Sequence, residues 1–149
     1  MQLKKKKKKF DELTAPELYA IIQLRNEVFV VEQHCVYQDA DGKDPACWHL
    51  AAWQKEDLIA YTRIIPPGIS YKEASIGRVV SRLQYRNTGI GKILIQQSIH
   101  HCFMQFDCSR IKIGAQVYLT GFYNSFGFTA CSSQYLEDGI PHVEMVLNK

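Results

Sequence analysis

The segment from Val79 to Lys92 constrains this chain more than any other. An apolar run ending in Val79-Val80-Ser81 passes through Arg86-x-x-Gly89-x-Gly91 and into a helix-forming stretch. Two glycines this close let the backbone turn with positive φ and leave its N–H groups uncovered, and the helix that starts there aims the positive end of its dipole at the same spot. The pattern predicts a grip for a pyrophosphate, and hence a nucleotide-like cofactor, built from Val79, Val80, Ser81, Arg86, Asn87, Thr88, Gly89, Ile90, Gly91 and Lys92. A Walker loop is excluded, because Arg86 stands where its first glycine belongs and Ile93 where its hydroxyl belongs. A dinucleotide fingerprint is disfavoured by Leu94 at the third glycine position and by the late placement of the turn.

Around this turn the residue pattern predicts an α/β fold. Thr14-Ala15-Pro16-Glu17 is a capping box with proline in the first turn, and Leu18, Ile21, Ile22, Arg25, Val28 and Phe29 continue at helical spacing, so a helix is expected from about residue 15 to 29. The polar, turn-rich stretch from Val31 to Asp44 reads as a loop able to close over a site. Trp48–Gln54 and Leu58–Ile65 form an expected antiparallel hairpin, stopped by Pro66-Pro67-Gly68, with a third strand at Ala74–Val80. A helix after Gly91, a buried strand at Ile111–Ala115, a short helix at Leu119–Phe126 and strands at Phe128–Ser132 and Val143–Leu147 complete a mixed, mostly antiparallel central sheet flanked by helices.

The 149 residues suit one domain, assigned to residues 10–149 behind a polylysine extension at 1–9. Lys4 to Lys9 supply six of the eighteen basic residues, which leaves twelve against fifteen acidic ones, so the body is mildly acidic although the chain is formally +3. Six adjacent like charges repel and stay solvated, which reads as a frayed or edge-forming N-terminus. No aromatic, basic surface follows to recognise nucleic acid, and no apolar run is long enough for a membrane span or a signal-peptide core, so neither nucleic acid nor membrane is an expected partner and the expected location is cytoplasmic. Five scattered cysteines without a Cys-x-x-Cys pair argue against a disulfide framework and against a zinc site, and no metal is expected.

Arg86-x-x-Gly89-x-Gly91 between strand and helix closely resembles the acetyl-coenzyme A loop of the GNAT superfamily of acyltransferases. Tyr123-x-x-x-Gly127-Phe128, about thirty residues on, resembles its second signature. Leu18-Tyr19, Val28 to Gln33, Tyr37-Gln38-Asp39, His49-Leu50, Ala60-Tyr61-x-Arg63, Ile76 to Val79 and Glu137 to His142 are similar to the ElaA group within that superfamily, over nearly all of the chain from about residue 11. The resemblance implies the GNAT fold, with the strand before the loop and the following parallel strand splayed apart around the pantetheine arm, and Phe122, Tyr123 and Phe126 beside the cofactor. It also implies N-acetyl transfer from acetyl-coenzyme A, with Tyr123 protonating the departing thiolate. Many superfamily members carry asparagine where Gln116 stands, which sets this position apart.

The remaining roles follow from side-chain chemistry. Backbone N–H groups at Val80 or nearby suit polarisation of a thioester carbonyl. Glu32 and His142 are the two candidates for taking a proton from the incoming ammonium, with solvent as the alternative. Arg25 and Arg78, like Arg63, suit a substrate carboxylate or a structural ion pair, and Phe29, Glu32 and His142 join Arg25 and Arg78 on the expected substrate side. Glu32, Asp39, Asp41, Asp44, Glu137 and Asp138 in the expected rim loops favour a cationic acceptor, a small-molecule or peptide amine. A catalytically silent acyl-coenzyme A binding module is the alternative function, and both monomer and homodimer fit.

Overall fold

The computed structural model describes residues 3–149. Its first strand, β1 (Lys4–Lys9), is the lysine run itself, paired antiparallel with β2 (Trp48–Gln54) from Lys4 opposite Trp53 to Lys9 opposite Trp48. Pairing uses main-chain groups, so the like charges need only diverge. Lys6 and Lys8 turn to Glu17 at 3.4 and 2.9 Å, and Lys9 Nζ lies 5.3 Å from the centre of the Trp48 ring. Of the two readings of the N-terminus the structure has the edge-forming one: the sheet begins at Lys4, ahead of the boundary expected at residue 10. Lysines on a free edge also discourage further strand addition.

Helix α1 (Ala15–Arg25) opens on the expected capping box: Thr14 Oγ1 accepts from Glu17 N–H at 3.2 Å, and Glu17 Oε1 accepts from Thr14 N–H at 2.9 Å. The helix does not run on as α to residue 29. Asn26–Glu32 is π-helical, with Gln33 N–H donating to the Val28 carbonyl and Cys35 N–H to that of Val30. The wider turn re-phases the face, so Ile21, Leu24 and Val28 pack on Ala51, Trp53, Leu58 and Tyr61 while Phe29 and Glu32 reach a cavity described below.

Strand β2 and β3 (Asp57–Ile65) form the expected hairpin, and β4 (Ser75–Ser81) adds antiparallel to β3, giving the order β1-β2-β3-β4. Helix α2 (Ile90–Gln105) covers one face with Ile90, Leu94, Ile95 and Cys102, and its Ser98 meets Thr62 of β3 at 2.8 Å. Each such fully buried aliphatic side chain contributes about 1.5–3 kcal/mol. A second sheet follows, in which β5 (Arg110–Gln116) pairs along one edge of β8 (Ile140–Asn148), and β6 (Thr129–Ala130) and β7 (Tyr135–Glu137) pair along the other; α3 (Thr120–Asn124) lies between β5 and β6.

The two sheets meet at a parallel bridge, Ala74 to Ile111. Beyond it β4 and β5 separate, and from Ser75 to Ser81 the edge of β4 toward β5 has no strand partner among the described residues. In β4 the residues Arg78 and Val79 stand together opposite Thr62, between the Arg63–Gly77 and Tyr61–Val80 pairs. Arg78 has φ +48° in this bulge, an uncommon state for a residue with a side chain.

Candidate active site

The gap between β4 and β5 opens into two cavities. The first, about 460 Å³, is bounded by the π-helical segment, β4, the loop before α2, and the segment from Gln116 to Tyr123. Gly89, at φ +87°, is the residue preceding α2, and built side chains on Gly89 or Gly91 would meet nothing within 4 Å, so the turn leaves the first amides of α2 open to a ligand. Val79, Val80, Ser81, Arg86, Asn87, Gly89, Ile90, Gly91, Lys92, Phe122 and Tyr123 all line this cavity.

Two residues expected here do not line it. Thr88 turns its hydroxyl to the Tyr85 carbonyl at 2.6 Å, bracing the loop from outside, and Phe126 packs edge-on against Phe122 at 5.1 Å between ring centres, so it supports a wall without forming one. Gln116, set apart in the sequence by the asparagine of many superfamily members, lines the cavity, and so do Tyr85, Tyr118 and Leu119, which no local motif marks.

Arg86, the cation of the glycine loop, is engaged. Its guanidinium meets Glu32 at 2.8 and 2.9 Å, and its Nε donates to the Ser81 carbonyl at 3.2 Å. Glu32 therefore belongs to the loop side of the gap, where it lines the first cavity and is absent from the second. That separates it from the other proton-acceptor candidate, His142.

The second cavity, about 530 Å³, lies across β4 and is strongly polar, with Arg78, Lys43, Tyr37, Tyr71, Glu137, Asp138 and His142 among its walls. His142 is buried, its Nδ1 lies 2.7 Å from the Ile140 carbonyl and its Nε2 3.4 Å from Glu137. The carbonyl can only accept, so Nδ1 carries the proton and Nε2 is the open nitrogen. Gly114 of β5 brings the sheet close to two phenols: a Cβ there would stand 2.8 Å from the Tyr135 hydroxyl and 3.1 Å from that of Tyr71.

Phe29, Val79, Gln116, Leu119 and Tyr123 line both cavities. Tyr123 is buried, and that burial, with a smaller contribution from Tyr118, pushes its phenol up to about 12. It is thus protonated at neutral pH and able to donate.

Arg25 is placed elsewhere. It is fully buried at 0 % side-chain exposure, its Nε donates to Asp39 at 2.7 Å and its Nη1 to Asp44 at 2.8 Å, and it lines neither cavity. Of its alternatives the structure has the structural ion pair. Arg63 continues the network, with Nη1 on Asp44 at 2.9 Å and a fork on Asp41 at 2.8 and 2.9 Å. Burial opposes every charge in the group, but the mutual hydrogen bonds outweigh it: they raise both arginines and hold Asp41 and Asp44 below the usual carboxylate range. The acidic rim inferred from sequence is mostly spent, since Asp39, Asp41 and Asp44 are neutralised here and Glu32 by Arg86.

A sheet split beside a left-handed glycine turn, with an aromatic short helix across the gap, is the architecture of the GNAT acyltransferases, and residues 13–149 match the family described as "Acetyltransferase (GNAT) domain". The chain belongs to this acetyltransferase family. Within it, the sequence is 40% identical to protein ElaA of Escherichia coli K12 over 136 residues, 90% of this chain and 89% of that one. The crystal structure of E. coli ElaA superimposes with a TM-score of 0.91 at 36% identity, covering 97% of this chain and 99% of that one. An acyl-CoA N-acyltransferase from Pseudomonas aeruginosa superimposes with a TM-score of 0.92 at 39% identity, over 97% and 99% of the two chains. No helix among the described residues is long and apolar enough to cross a membrane.

Proposed function

We propose that this protein is an N-acetyltransferase that moves the acetyl group of acetyl-coenzyme A to the primary amine of a small-molecule or peptide acceptor, by direct transfer in a ternary complex. The observation that carries this reading is the position of Tyr123 on both cavities, one with an open anion-binding turn and one polar and acceptor-sized. The similarity to an acyl-CoA N-acyltransferase supports the same cofactor class.

The residues fit the cofactor. The amides of the Gly89–Gly91 turn at the start of α2, with Lys92 and Arg86, suit the pyrophosphate, and the unpaired edge of β4 suits an arm carrying two amides, which binds as an added strand would. Acetyl-coenzyme A supplies the activated acetyl group as a thioester. The expected carbonyl-polarising N–H is that of Val80 or a neighbour, and Val79, beside it in the bulge and lining both cavities, is the neighbour that suits the role.

The acceptor arrives as an ammonium and loses two protons as its C–N bond forms and the thioester C–S bond breaks. His142 Nε2 takes one and passes it to solvent, with Glu137 stabilising the imidazolium. Tyr123 donates its phenolic proton to the sulfur and is restored by the second. Five free cysteines, none in a disulfide, suit the reducing cytoplasm that completes the proposal.

Tyr123→Phe tests it. With coenzyme A release read by a thiol reagent across an amine panel, kcat should fall about 10²-fold while the Kd for acetyl-coenzyme A stays within about twofold. Unchanged turnover refutes the acid role. Binding of acetyl-coenzyme A without thiol release from any amine returns the silent binding module.

A further inference from the structure

The charge pattern of the polar cavity defines a class of acceptor. Three carboxylates, Asp39, Asp41 and Asp44, meet three guanidiniums, Arg25, Arg63 and Arg78, but the three arginines are not equally committed. Arg25 and Arg63 are 0 % and 4 % exposed and hydrogen-bonded to the carboxylates. Arg78 is 22 % exposed on the cavity wall. Its Nε approaches Asp39 to 2.9 Å off the N–H axis, without forming a hydrogen bond, and its Nη2 stands 3.9 Å from Asp41, beyond hydrogen-bond reach. Asp39 is already held by Arg25 and Tyr37. Lys43, on the same wall, has no carboxylate within ion-pair distance among the described residues and donates to Ser70 at 3.1 Å.

The position of Arg78 is built with some effort. Its backbone occupies the left-handed region in the bulge of β4, and its guanidinium lies over the rings of Phe29 at 5.6 Å and Tyr37 at 5.7 Å. Aromatic faces hold a guanidinium in plane while leaving its N–H groups available, and backbone strain of this kind persists where the surroundings hold it and a site uses it.

Resting on the N-acetyltransferase reading above, we infer that the acceptor carries a carboxylate as well as its amine, an amino acid or a compound of that type, and that Arg78, assisted by Lys43, anchors the carboxylate. Glu137 and Asp138, facing the cavity from the β7–β8 turn, suit the ammonium end. Arg78 is then a specificity determinant that engages the acceptor and not the acetyl donor.

The test uses the full chain, acetyl-coenzyme A, and three kinds of acceptor: amino acids, the matching amino-acid carboxamides, and spermidine as a carboxylate-free polyamine. Coenzyme A release should favour acids over their carboxamides by at least about tenfold in kcat/KM, mostly through KM, as expected for a charge-assisted anchor. Arg78→Lys and Arg78→Met should each erase most of that preference while the Kd for coenzyme A, which also reports folding, stays within about twofold. Carboxamides or spermidine turning over as well as the acids overturn the inference and leave N-acetyl transfer standing. A protein that binds acetyl-coenzyme A yet acetylates none of the three also overturns the inference, and favours the silent binding module. Failure to bind acetyl-coenzyme A overturns the N-acetyltransferase reading itself.

Discussion

Glu32 and Arg86 pose the most direct question about the cofactor side, because an internal carboxylate occupies the guanidinium that the pyrophosphate would use. The two meet through a bidentate contact at 2.8 and 2.9 Å, with 40 % and 33 % of their side chains exposed. At that exposure solvent screens the pair, and its contribution is about 0.5–1 kcal/mol. Coenzyme A must displace Glu32 from Arg86 to use it, so removing the carboxylate should return that energy to binding. Glu32→Gln is therefore expected to tighten coenzyme A by about two- to fivefold, since 1.4 kcal/mol is tenfold. Isothermal titration of wild type and variant at about 0.05 M and about 0.5 M salt is the assay, with the difference shrinking at the higher salt as the ion pair is screened. Because Glu32 faces the loop and not the cavity proposed for the acceptor, kcat should be nearly unaffected. Weaker coenzyme A binding in the variant, or a collapse of kcat at unchanged Kd, refutes the argument and returns Glu32 to the chemistry.

Three further outcomes bear on the framework. Arg25→Ala removes the fully buried partner of Asp39 and Asp44, and a loss of about 3–5 kcal/mol is expected, with Tm falling by roughly 10 °C; a loss under about 1 kcal/mol in chemical denaturation contradicts the buried network. For Glu17, burial pushes the carboxyl up, but the Thr14 N–H and the Lys8 ammonium outweigh it and bring it to about 2. Its folded value lies below the unfolded one, so its stabilisation is present above about 4.5 and is lost as pH falls through about 2. Wild type and Glu17→Gln should accordingly differ in Tm at neutral pH and converge across that window; a constant gap refutes the linkage. Gly114→Ala drives a methyl into the Tyr135 and Tyr71 hydroxyls, and acceptor KM should rise about fivefold, for a cost near 1 kcal/mol, with coenzyme A affinity preserved; an unchanged KM removes the Tyr71 wall from the proposed acceptor site.

The readable parts of the chain share a short range. The capping box at Thr14 and Glu17 is closed by atoms three residues apart, and the Gly89 turn is a property of its own φ, so both were visible in the letters. Asp138-Gly139 carries an equally local signal, with φ +51° and +78°, and closes β7 onto β8, although no strand was expected at Tyr135–Glu137. The lysine run left two readings open, frayed or edge-forming, for a different reason. Its charges describe side chains, whereas strand pairing is decided by the main chain and by what waits alongside, here β2, Trp48 and Glu17.

The site is harder to read because its parts are distant. Arg25 reaches Asp39 and Asp44 across 14 and 19 residues, and Arg86 reaches Glu32 across 54. Identical arginines in one sequence thus become a buried strut, a loop cation held by its own glutamate and a half-free guanidinium on a cavity wall. By itself the sequence determined the glycine turn and most of the order of elements, since each follows from spacing along a helix or strand, while Tyr123 stood out through its resemblance to a family signature. Only the tertiary structure decided which charges are spent and which remain available, because Coulomb energy and desolvation depend on distances in space that separation along the chain does not encode.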